Sequence, residues 1–249
     1  MTNYRATKSH RPHQDKTRPA PADMDGLEFD ARRAARVTTI DTFKAGRTPL
    51  TVIHVADHAT SVAERFTERA KALRPPGPLA CQEGCDWCCY LRVGTAAPEV
   101  FRIVEYLRQR LTPEELQTVR QRIVELDEER NKLKPNKRRE ARLACALLIG
   151  HRCSVYPVRP LTCRGFNSSD AHRCELFLES GNKVEVPSYA PQLRLTTFVL
   201  DGVRAGLSES GLKGDLLELT AALRIAFETP DARERWLAGD AVFAPARLD

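Results

Sequence analysis

The sequence predicts a mainly α fold: helices around an irregular, cysteine-rich metal-binding centre, with a disordered N-terminal tail. Three observations predict it. Apolar residues recur at spacings of three and four over several long stretches, the signature of amphipathic helices. Eight cysteines fall in two turn-rich segments. Residues 1–46 are poor in large apolar residues and rich in Pro, Arg, Asp and Thr, so they bury too little surface to offset the entropy of ordering.

In chain order, the tail allows one short helix near Phe29 to Arg36. Thr48-Pro49 then reads as an N-cap followed by proline at the first helical position. Val52, Val55, Ala59, Val62, Phe66, Ala70 and Leu73 form one apolar stripe on the helix that follows. Arg74-Pro75-Pro76-Gly77-Pro78 ends it, because proline and its predecessor both resist helical geometry. A cysteine loop runs from Cys81 to Cys89. Pro98 opens a second helix faced by Val100, Ile103, Val104, Leu107 and Leu111. Thr112-Pro113-Glu114-Glu115 is a capping box, and its helix carries Leu116, Val119, Ile123 and Leu126. The second cysteine segment spans residues 143–187, with a brief strand expected at Val184 to Val186. Beyond it lie two more stripes, Phe198, Val199, Val203 and Leu207, then Leu212, Leu216, Leu219, Leu223 and Phe227, and a short helix over Asp231 to Ala238. The expected organisation is a disordered basic tail at 1–46, a cysteine-cluster domain at 47–187 and a C-terminal helical extension packed on it at 188–249.

Composition bounds the function. Of 249 residues 42% are hydrophobic and 29% charged, an ordinary globular balance. The longest apolar run, Leu143 to Ile149, is far short of the about 20 residues of a membrane span, so no membrane partner is expected. The N-terminus lacks the apolar stretch of a secretory signal, which makes the cytoplasm the expected compartment. Thiols stay reduced there, and clustered cysteines point to metal or redox chemistry before disulfides. The net charge of +6 is uneven. Residues 1–48 hold ten Lys or Arg against six Asp or Glu, and a basic run collects Lys132, Lys134, Lys137, Arg138, Arg139 and Arg142. No aromatic residues interleave with that run, so it reads as a solvated exit from a helix and nucleic acid is not an expected partner.

The chemistry sits in two clusters. Cys81-Gln82-Glu83-Gly84-Cys85-Asp86-Trp87-Cys88-Cys89 places four thiols in one tight loop, as metal–thiolate sites require. Gly84 permits positive φ where the loop folds back. Vicinal Cys88 and Cys89, taken as extended, point to opposite sides. They would then serve two neighbouring metals, or one would bind while the other packs. The second cluster, Cys145, Cys153, Cys163 and Cys174, is looser. Within it Arg159 and Arg164 flank the thiols in a stiff stretch bounded by Pro157 and Pro160. Guanidinium groups there would stabilise a thiolate site and lower thiol pKa, or serve as ordinary ion pairs. Tyr156 reads as packing. His151 and His172 flank cysteines and could complete a site, though loop histidines read more simply as surface. His54 and His58 fall beside the buried stripe, on a solvated face. The sequon Asn167-Ser168-Ser169 carries no meaning in a cytoplasmic protein.

CQEGCDWCC together with CALLIGHRCSVYPVRPLTCRGF resembles the CxxCxxCC, or YkgJ-like, cysteine-cluster family of zinc- or iron-chelating domains. The second segment matches through Cys153, Tyr156, Arg159, Pro160, Cys163 and Arg164, with Val155 where the family usually has Ile. The likeness covers about residues 79 to 175. It implies a metal-chelating role for Cys81, Cys85, Cys88, Cys89, Cys145, Cys153, Cys163 and Cys174, with zinc or iron, including a [4Fe-4S] cluster, as cofactor and the metal ion as partner. It implies no settled reaction. A flagellin lysine N-methylase carries a similar domain, so an iron–sulfur enzyme is the alternative. Cys81-x3-Cys85-x-Trp87-Cys88 also fits the loop of radical S-adenosylmethionine enzymes, but those follow a first strand of a partial barrel, whereas here a proline-rich break precedes the motif. The two clusters are expected to meet in space and share the metal chemistry.

Overall fold

In the computed structural model, residues 24–138, 140–181 and 183–248 are described. The first described element is a helix, α1 (Met24–Ala45). The expected short helix at Phe29 to Arg36 is therefore an underestimate, and disorder through residue 46 is corrected from Met24 onward; residues 1–23 lie outside the described residues. The physical reason is a stripe of Leu27, Ala31, Ala35, Thr39 and Phe43, all buried. Its members are mostly small, so it looks weak in isolation. It gains its burial from a glycine-bearing partner, α8 (Ala190–Glu209). A Cβ on Gly202 would strike the carbonyl oxygen of Arg32, and one on Gly206 would lie 2.8 Å from that of Arg36. Two backbones thus touch without side chains between them.

Between these helices in sequence, α2 (Pro49–Leu73) begins as expected. Thr48 caps it, and its hydroxyl and that of Thr51 bond reciprocally to each other's backbone N–H. Val52, Val55, Ala59, Val62, Phe66 and Ala70 are buried, while Leu73 is exposed. Two helices then pair, α3 (Ala97–Arg110) and α4 (Pro113–Lys132), the second capped by Thr112 and Glu115 as its sequence predicts. A short α5 (Pro135–Arg138) turns the chain. There Arg138 donates to the carbonyls of Leu133 and Asn131 at the end of α4. Part of the basic run thus satisfies helix-terminal carbonyls.

Two more short helices, α6 (Leu161–Gly165) and α7 (Ala171–Glu179), lie in the second cysteine segment. After α8 come α9 (Leu219–Glu228) and α10 (Ala232–Leu237). The stripe expected from Leu212 becomes helical only at Leu219. Before it, Leu217–Glu218 forms a strand antiparallel to Gly94–Thr95. That pairing lets Glu218 cap α9 through Ala221 N–H and meet Arg130 of α4 in a buried ion pair at 3.0 Å. Residues 184–186 are irregular, so the brief strand expected there is absent. Helix α8 packs on α1, α2 and α6, α3 on α2 and α9, and α4 on α9. Phe43, Phe101, Trp236 and Phe243 close the core, with Phe101 and Phe243 centroids 5.3 Å apart.

The α1–α8 contact is testable. Gly202→Ala should lower unfolding stability by about 1–3 kcal/mol, the usual cost of overpacking. An unchanged denaturation midpoint would mean the helices do not approach this closely.

Candidate metal centre

The cysteine loop is built by turns. The Cys85 N–H donates to Gln82 C=O at 3.1 Å, and Gly84 sits at φ 88° in the bend, the positive-φ role read from the sequence. Trp87–Tyr90 then forms a single 3-10 turn, with Cys89 N–H on the Asp86 carbonyl at 2.7 Å. Cys88 and Cys89 are therefore not extended. In a 3-10 turn of three residues per turn, neighbours diverge by about 120°, and here the two thiols still lie near enough for each to shift the other's pKa.

The second segment docks on this loop through backbone and side chains. Cys145 N–H donates to the Cys89 carbonyl at 2.8 Å. A small hairpin follows, Leu148–Ile149 paired with Arg152–Cys153. Its two-residue turn, Gly150 and His151, has both φ values positive, at 54° and 61°, as a type I′ turn requires. The hairpin tip reaches back: His151 Nδ1 lies 2.9 Å from Asp86 Oδ2, and Arg152 pairs with Glu83 at 3.4 Å. His151 thus meets the cysteine loop through a carboxylate. His172 pairs with Glu175 at the surface, and His54 and His58 are exposed.

Cys163 is set by Glu99. This buried carboxylate accepts from Leu161 N–H at 2.7 Å, Ala96 N–H at 3.0 Å and the Thr95 hydroxyl at 2.8 Å. One side chain therefore caps α3 and fixes the start of α6. Burial holds the Glu99 carboxyl above the ordinary carboxylate range despite these donors. Cys174 lies on α7, which packs against the Trp87–Tyr90 turn. Cys81 is held by Ser168, whose N–H donates to its sulfur at 3.3 Å. Ser168 is buried, its hydroxyl 3.0 Å from both the Pro187 and the Asp170 carbonyl oxygens, while Asn167 ties Gly165 to Tyr189. Those two sequon residues are loop-builders.

The two arginines divide. Arg164 donates to the Arg159 and Pro157 carbonyls and pairs with Glu64 of α2 at 3.1 Å, clamping its own loop. Arg159 stacks on the exposed Tyr156 ring, 3.7 Å from its centroid, and its charge acts on Cys88 and Cys153.

All eight cysteines are free thiols. The Cys89 thiol is electrostatically coupled to Cys145 and Cys153, and Cys85 to Cys81, Cys88 and Cys174. The two sequence clusters thus form one neighbourhood. Burial pushes Cys145 up to about 11 and raises Cys85, Cys153, Cys163 and Cys174. Cys88 falls to about 7 because the Cys89 thiol donates to it, with Arg159 assisting, and Cys89 rises correspondingly. Among the described residues no three Cys, His or carboxylate side chains already converge on a point that would hold an ion. The donor set itself fits a thiophilic metal: eight reduced sulfurs, an N–H donor to one of them and a guanidinium beside two others.

Sequence reasoning missed Ser168, Asp86 and Glu99. Only Glu99 left a signal, as the N3 carboxylate of a helix opened by proline.

Reduced thiols gathered on a helical frame are the donors a metal-chelating protein uses. Residues 80–185 match the family model CxxCxxCC, described as "Putative zinc- or iron-chelating domain". The match supports metal binding by the chain. No curated protein and no solved structure matches the chain. No helix among the described residues is long and apolar enough to cross a membrane.

Glu99→Ala should cost on the order of 3 kcal/mol, since each buried donor left unpaired costs about 1–3 kcal/mol. Glu99→Gln, which keeps an acceptor oxygen, should cost less. Equal wild-type stability in both, by denaturant unfolding, would remove the carboxylate from its place as the clamp on α6.

Proposed function

We propose that the chain binds zinc or iron through Cys81, Cys85, Cys88, Cys89, Cys145, Cys153, Cys163 and Cys174, and that the metal completes the fold of its cysteine-rich centre. The observation that carries this is the docking of the second cysteine segment on the first, Cys145 N–H to Cys89 C=O, which makes one neighbourhood of cysteines 56 positions apart. The surrounding segments are short turns and two-residue strands. In small zinc peptides metal binding supplies about 10–16 kcal/mol at neutral pH, ample to fasten such segments. Arg159 would offset the negative charge of a thiolate centre, and the Ser168 N–H would donate to the Cys81 sulfur, as groups around metal thiolates do.

An iron–sulfur centre uses the same donors, and sulfide analysis separates it from zinc. The radical S-adenosylmethionine reading gains nothing from the fold: the motif enters a 3-10 turn on a helical frame, not a loop after a barrel strand.

Anaerobic purification with metal and sulfide analysis tests the proposal. Substoichiometric metal after reconstitution with both zinc and iron would overturn it. Chelation should raise hydrogen exchange across residues 79–92 and 143–187, and unchanged protection there would separate the metal from the fold. The affinity should also depend on pH. Five thiols sit above their ordinary value through burial, so they hold protons at neutral pH, and a metal must displace them. Affinity should therefore rise with pH through neutrality and fall on acidification, with proton release measurable by calorimetry in buffers of different ionisation enthalpy. A pH-independent affinity would exclude thiolate ligation by these residues.

A further inference from the structure

We infer that the eight thiols make two centres of unequal exposure: an inner one from Cys89, Cys145, Cys153 and Cys163, and an outer one from Cys81, Cys85, Cys88 and Cys174, with the outer centre exchanging its metal. The inference rests on the metal-binding reading above and deepens it. It divides the site between adjacent residues, Cys88 and Cys89, and it cuts across the two sequence clusters.

Packing separates the groups. Cys145, Cys153 and Cys163 lie directly against the hydrophobic core, alongside Leu147, Val155, Val158 and Leu161. Cys89 joins them because its carbonyl receives the Cys145 N–H, and the hairpin that follows carries Cys153 back beside it. Cys89 lies on the 3-10 turn, Cys153 on the hairpin and Cys163 on the Glu99-clamped α6, while Cys145 sits in the loop that its N–H docks on the turn.

Of the other four, Cys81 and Cys88 are exposed and Cys85 and Cys174 are half-buried, and none of them packs on the core. Cys81 is joined to the α7 region through Ser168: Ala80 N–H donates to the Ser168 carbonyl at 2.8 Å, Ser168 N–H to the Cys81 sulfur, and the Ser168 hydroxyl accepts from Asp170, the N-cap of α7. Helix α7 packs on the turn that carries Cys88, and Cys81, Cys85 and Cys88 act on one another or on Cys174, with Cys88 at the border between the groups, since it also acts on Cys153 and Cys163. No α7 residue is fully buried, and no residue of this group belongs to the core.

The count closes. Tetrahedral thiolate sites take four sulfurs, so eight sulfurs hold two ions. A group backed by core has its protein framework fixed, as in closed structural sites. A group on a surface loop and a nine-residue helix opens without disturbing the core, which suits delivery or acceptance of an ion.

The test uses the full chain, reduced and loaded anaerobically with zinc, with release followed by a chromophoric chelator. Wild type should bind two equivalents and release them in two phases. Cys85→Ser and Cys174→Ser, one from each sequence cluster, should each abolish the fast equivalent and keep the slow one. Cys145→Ser should lose the slow equivalent and lower the unfolding midpoint. Should that variant fail to fold, the Cys85→Ser and Cys174→Ser pair decides alone. Release in a single phase, one equivalent in wild type, or loss of different equivalents from Cys85→Ser and Cys174→Ser would overturn the division while leaving metal binding intact. No uptake by wild type would instead overturn the metal-binding reading itself.

Discussion

A carboxylate buried beyond the reach of water must be met by donors, and Glu99 is met by three, drawn from two ends of the fold. Two donors belong to the strand and turn that open α3, the third to the first residue of α6. The cysteine-rich segment has few periodic contacts of its own, so its attachment to the helices depends on such polar pins. Remove this one and Leu161 loses its partner, α6 loses its fixed start, and Cys163 loses its address. Arg164, bonding the Pro157 and Arg159 carbonyls and Glu64, is the second pin of the same stretch.

Elements governed by neighbouring residues were legible in the sequence. Thr48-Pro49 and Thr112-Pro113-Glu114-Glu115 carry their capping chemistry within four residues, and both helices start there. The stripe from Val52 to Ala70 is buried because one face of one helix decides it. Helix α1 was not legible, since a stripe of alanines and a threonine has value only against Gly202 and Gly206, some 170 residues away. The hairpin at 148–153 was equally hidden. Its strands are two residues long, too short for alternation to register, and Gly150 alone hints at the turn.

Of the candidate site, the thiols and the special place of Gly84 were visible, because spacing alone shows a tight loop. The grouping of thiols was not. It follows from Cys145 meeting Cys89 and from Ser168 meeting Cys81, both contacts between distant segments. The two arginines had looked alike on either side of Cys163. Their separate tasks, one clamping backbone and one facing thiols, are set by where Pro157 and Pro160 turn the chain, which composition does not reveal.

Gly165, at the end of α6, approaches α8 as closely as Gly202 approaches α1: a Cβ there would run into the Thr196 hydroxyl and lie 3.0 Å from Leu193. Helix α8 thus meets α1 backbone to backbone and meets α6 through the Thr196 and Leu193 side chains, with little free space at either contact. Interiors this dense transmit strain instead of damping it. Helix α8 lies between α1 and the helix that carries Cys163, so α1, remote in sequence from every cysteine, is one helix away from the thiol neighbourhood.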